Sequence, residues 1–164
     1  MNDTHLTILP RLRDAKRYRS AIGTHLFLAR VGSLWPSALR GLMRGCAIRV
    51  GHLCTPPDNV ARIVVAGRHI SENEYLLLAR NQGGVPRSPG DGYYAHYARR
   101  TWEIALEAVQ NRWSHKWSIS MATSACVSAQ DALRKVGEDE HDIDDLVDLV
   151  YESQIRAGYW YGGS

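Results

Sequence analysis

Cys46, His52 and Cys54 place three metal-capable side chains within nine residues. A structural zinc site takes about four thiolate or imidazole groups in a tetrahedron. If the segment is a strand, all three share one face but spread over roughly 25 Å, at about 3.3 Å per residue, too far to share one ion. No Cys-x-x-Cys pair supplies further ligands. Buried thiols and a surface histidine are the simpler reading, and no metal or cofactor is expected.

Other spacings point to enzymes, each weakly. His5-Leu6-Thr7 and His69-Ile70-Ser71 match the His-x-Thr/Ser triplets of two-histidine phosphodiesterases. Those enzymes carry both triplets on paired strands, whereas Ser71 is better placed as a helix cap. Arg19 and His25 have the Arg-to-His spacing of HEPN ribonucleases, which are helical bundles, but Arg62 to His69 and Arg134 to His141 share it. Glu103 and Glu107 lie one helical turn apart, and a solvated helix face is a far better reading of them than an acid–base pair. Neither a dinucleotide-binding glycine pattern, nor a phosphate-loop Gly-Lys-Ser/Thr, nor a Gly-x-Ser-x-Gly elbow occurs. No catalytic residue is therefore assigned; an enzyme with a hidden site, a HEPN-like ribonuclease foremost, is the least supported of three readings. His25, His52, His69 and His96 are the histidines to seek around such a site.

Arginine chemistry rests on more residues. Residues 1–50 hold nine Lys/Arg against two acids, 51–100 six against four, and 101–164 five against eleven, giving local balances of +7, +2 and −6. A planar guanidinium binds phosphate through two hydrogen bonds, and every neutralised phosphate adds salt-dependent affinity without sequence recognition. Arg11, Arg13, Lys16, Arg17 and Arg19 crowd the start of the first predicted helix, and Arg40 and Arg44 follow on the next. Cations oppose the macrodipole there by a few tenths of a kcal/mol each, a tolerated cost that hints at use. These seven are the candidate nucleic-acid contacts. The acidic end suggests the second reading, an adaptor or inhibitor that meets a basic protein through Asp144, Asp145 and Asp148 and the aromatic tail Tyr159, Trp160 and Tyr161. The two charged ends can also face each other, within one chain or between copies, and then the asymmetry describes assembly.

Apolar periodicity supplies the elements that must carry these groups. Leu12, Ala15, Tyr18, Ile22, Leu26 and Ala29 recur at three and four over 10–31, an amphipathic helix. A short helix runs from Pro36 to Gly45. Cys46, Ile48 and Val50 alternate with Ala47, Arg49 and Gly51, which reads as a strand. Asp58 can cap a helix to Gly67, or 62–65 can be a strand. Ser71 and Glu74 form a capping box, with Ile70 and Tyr75 as its hydrophobic staple, opening a helix that stops before Gly83. The Pro/Gly-rich stretch 85–92 is a loop. Ala95, Ala98, Trp102, Ala105, Val109 and Trp113 mark the longest helix, expected at the centre of the packing. Trp117, Ile119 and Met121 alternate briefly, suggesting a second strand beside 46–50. A helix from Ala122 ends at Gly137, and a last one, capped by Asp142, carries Leu146, Val147, Val150 and Ile155 inward.

At 164 residues, with 45% apolar and 23% charged side chains, the composition is that of one globular domain. Five tryptophans beside a single phenylalanine suggest a bulky core. Three cysteines cannot all pair, and a polar, basic N-terminal stretch argues for the reducing cytoplasm. No apolar run approaches the roughly 20 residues of a membrane span.

Residues 62–88 resemble the opening hairpin and first helix of response-regulator winged-helix domains: Gly67-Arg68, an apolar residue, Ser71, Glu72, the aromatic Tyr75 and a Leu-Leu pair occur in that order. The likeness stops there, because Pro86, Pro89 and Gly90 precede one long helix where that family has a short helix and its recognition helix. No recognition residue carries over. The expected architecture is mainly α, a compact single domain (1–164) of five or six helices with a minor two-strand β element; its basic half is 1–84 and its helical, acidic half 93–164. The expected role is a small cytoplasmic nucleic-acid-associated or regulatory binding protein.

Overall fold

The computed structural model describes residues 11–17, 21–54, 58–66 and 93–157. Eight helices and no strand are found among them: α1 (Leu12–Arg17), α2 (Ala21–Gly32), α3 (Pro36–Arg49), α4 (Gly51–Cys54), α5 (Asp58–Ala66), α6 (Tyr93–Gln110), α7 (His115–Lys135) and α8 (His141–Arg156). The expected helix from 72, the 85–92 loop and most of the winged-helix-like segment lie outside the described residues, as do Arg19, His69 and Tyr159–Tyr161.

Both expected strands are helical, for readable reasons. Leu39, Leu42, Met43, Cys46, Ala47 and Val50 are all fully buried at intervals of three and four, whereas Ile48 is half exposed. The alternation at 46–50 is thus a short sample of a longer helical period. Gly45 does not stop α3; it marks where α8 crosses closely. A Cβ at Gly45 would stand 2.8 Å from Leu146 Cδ2, well inside van der Waals contact. In α7, Trp117 and Ile119 belong to a helix that begins at His115, because the Ser114 hydroxyl accepts from the Trp117 backbone N–H at 3.2 Å. Residues 58–66 take the helical alternative.

Helices α6 and α7 pack most extensively on each other. Four fully buried alanines of α7, Ala122, Ala125, Ala129 and Ala132, leave room for that approach. Its end is a Schellman motif: Gly137 sits at φ +76°, its N–H donates to Arg134 O (3.1 Å), and the Glu138 N–H donates to Leu133 O (2.9 Å). Helix α3 lies across both partners, with Cys46 Sγ 3.7 Å from Cys126 Sγ of α7. Helix α8 covers α3 and also holds α1 and α2, while α4 and α5 rest on α6.

Tryptophan divides unevenly. Trp102 is buried and Trp113 half-buried, but Trp35 and Trp117 are 41% and 53% exposed, so the indoles do not all fill the core. No helix among the described residues is long and apolar enough to cross a membrane.

Candidate anion-binding groove

The two charged ends of the chain meet. Arg13 donates to Asp145 through both Nε (3.2 Å) and Nη2 (2.7 Å), and its Nη2 also lies 2.7 Å from Asp139 and 3.6 Å from Asp142. The hydrogen bonds to Asp145 and Asp139 hold the Arg13 guanidinium well above its ordinary pKa. Arg13 in turn pulls the Asp139 carboxyl below the usual range. Arg11 pairs with Glu152 at 3.1 Å.

Deeper in this latch, Arg30 and Asp148 form an ion pair at 5% and 1% side-chain exposure. The other Asp148 oxygen accepts from the Leu12 backbone N–H at 3.0 Å, and the Arg30 guanidinium sits 5.4 Å from the centre of the Tyr151 ring. Burial raises the Asp148 pKa, against the Leu12 N–H and Arg30, which both lower it. Asp144 is also fully buried: it accepts from Gln130 Nε2 (2.9 Å) and lies 2.9 Å from His141 Nδ1. Of the three aspartates expected to greet a partner, two are therefore interior and Asp145 is held by Arg13. Lys16 and Arg17 are the last two residues of α1.

Arg40 and Arg44 are placed differently. They follow one another by one turn of α3, Arg40 exposed and Arg44 half-buried. The start of α3 is fixed by its neighbours: the Trp35 N–H donates to Gln154 Oε1 (2.9 Å), Gln154 Nε2 donates to Ser33 O (3.0 Å), and His115 Nε2 donates to Leu34 O (2.8 Å). Across from α3, the link between α6 and α7 supplies Arg112 and Trp113. That link is anchored where Asn111 donates to Glu107 O from its backbone (2.8 Å) and its side chain (3.0 Å).

Two adjoining cavities occupy the space between. The larger, about 530 Å³, is lined by Arg40, Ala108, Val109, Asn111, Arg112, Trp113 and the buried Ser118. A smaller one of about 180 Å³ shares Arg40, Ala108 and Val109 and adds Arg44, Ser37 and Val64 among others. Among the described residues, the two linings together contain three guanidinium groups and no carboxylate. Such a recess presents fork-shaped donors, amide and hydroxyl groups and an apolar floor, the components that hold a phosphate and what is attached to it.

Sequence reasoning found Arg40 and Arg44 but not Arg112, Trp113 or Ser118 as their companions. Arg112 stands in the acidic third of the chain with no local signal, and Trp113 carries the same helical spacing as core residues. The metal-capable residues stay apart: Cys46 faces Cys126, Cys54 is buried, and the exposed His52 lies 2.9 Å from both Glu138 carboxylate oxygens. Among the described residues no group of three or more metal-capable side chains is found. None of His25, His52 and His96 lines either cavity of the groove. No family model, characterised protein or solved structure matches the chain.

Proposed function

We infer that this chain is a binding protein that receives the phosphate groups of a nucleic acid in the groove between α3 and α6. The observation that carries this reading is the contrast between two sets of arginines. Arg11, Arg13 and Arg30 are engaged by carboxylates of α8, whereas Arg40 with Arg112, and Arg40 with Arg44, line two adjoining cavities that hold no acid among their described residues. Concentrating three like charges along two adjoining cavities costs stability through mutual repulsion, and an arriving polyanion relieves it. A basic protein gains less from α8, since Asp144, Asp145, Asp148 and Glu152 already have partners within the chain.

Fluorescence anisotropy of a labelled random-sequence strand at about 50 mM salt tests the reading. Replacing Arg40, Arg44 or Arg112 with Ala weakens binding by about tenfold or more each, the usual value of a charged hydrogen bond. Replacing Arg11 with Ala leaves it unchanged. Equal losses at all four positions, or no binding by the parent protein, overturn the assignment.

A further inference from the structure

The geometry points to single-stranded nucleic acid as the class of ligand, with an unpaired base held against Trp113 while Arg40 and Arg112 grip the flanking phosphates. This rests on the groove reading above and adds what fills its larger cavity. Two kinds of wall meet there: guanidinium and amide groups from Arg40, Arg112 and Asn111, and an apolar side made of Ala108, Val109 and Trp113. Inorganic phosphate uses the first wall and leaves the second in water. A nucleotide unit uses both, since its base is a flat, largely apolar ring next to a charged phosphodiester.

Duplex presents only base edges, and its ring faces are stacked out of reach. A recess of about 530 Å³ lies in the range of small-ligand pockets, roughly 300–1,000 Å³, which accommodates a splayed nucleotide and excludes a double helix. Aromatic platforms combined with a basic track are how proteins hold single strands without reading sequence. Trp113 is half-buried and packs on the core, so its ring is already ordered and binding does not have to immobilise it.

The experiment compares four probes of equal length on the intact protein: an oligothymidylate, an abasic strand with the same phosphates, a duplex, and polyglutamate. Single strand is expected to bind about five- to hundredfold more tightly than the abasic strand, the range of one stacked base. Trp113→Leu, which keeps an apolar filler at this position, brings the normal strand down to the abasic level, and Trp113→Tyr retains most of the difference. Should Trp113→Leu fail to fold, the abasic comparison on the parent protein decides alone. Equal binding of normal, abasic and duplex probes overturns the stacked-base inference and leaves the phosphate groove standing. Polyglutamate binding as tightly as the single strand also overturns it, in favour of an acidic peptide. If none of the nucleic-acid probes binds, the groove reading falls with it.

Discussion

Replacing Asp148 with Ala removes, in one step, the carboxylate facing a 95% buried Arg30 and the acceptor for the Leu12 N–H. Deleting one partner of a buried ion pair costs about 3–5 kcal/mol, mostly for the charge left behind in a poorly solvated place. A stranded backbone donor adds about 1–3 kcal/mol, although the two losses overlap because one side chain serves both. Against a total stability of about 5–15 kcal/mol, a loss of roughly 4 is large. Urea unfolding followed by circular dichroism should show the midpoint falling by about 1.5–3 M at an unchanged slope. Asp148→Asn keeps an acceptor for Leu12 and falls between the two. Asp148→Leu combined with Arg30→Met recovers most of the stability, because a well-packed apolar pair is often neutral to or better than a buried ion pair. A loss under about 1 kcal/mol for Asp148→Ala, or a double variant as unstable as the summed singles, refutes the view that this pair is costly to break and cheap to replace.

The outer part of the latch predicts a pH dependence. Arg13 holds Asp139 below its unfolded pKa of about 3.9, so the stabilisation is complete above that value and is lost as pH falls through the lower folded one. Because Asp139 is 45% exposed, solvent screening keeps the effect below about 1 kcal/mol. The urea midpoint of the parent should drop more between pH 5 and pH 2.5 than that of Arg13→Ala; parallel curves would count against the pairing. Thiol chemistry gives another check. Burial pushes Cys54 up to about 12, with Arg99 opposing only in part, and Cys46 and Cys126 are fully enclosed. A disulfide reagent at pH 8 should find no fast-reacting thiol in the folded protein and three in denaturant; one rapid reaction contradicts the packing.

Helices were legible where local chemistry and burial agree. The alanine spacing and Gly137 mark the body and end of α7, and its start was missed because three alternating residues, Trp117 to Met121, look alike in a strand and on a helix flank. Gly45 was misread as a stop because its role is tertiary: it accommodates Leu146, about 100 residues away in sequence. The sorting of charge along the chain was plain, but its consequence was not. Arg13 and Asp145 are separated by 132 positions, and no local pattern says which arginines will meet acids and which will stay around a cavity. Arg112 joined its groove through the fold alone.

Salt dependence of single-strand affinity tests the division of the arginines most directly. Each phosphate neutralised on a single strand contributes about 0.7 to the slope of log affinity against log salt. The triple variant Arg40→Ala/Arg44→Ala/Arg112→Ala should lose about 2 from that slope, whereas Arg11→Ala/Arg13→Ala should keep the parent value while unfolding at lower urea. A slope that survives the triple change and collapses in the double one would mean that the latch, not the groove, meets the phosphates.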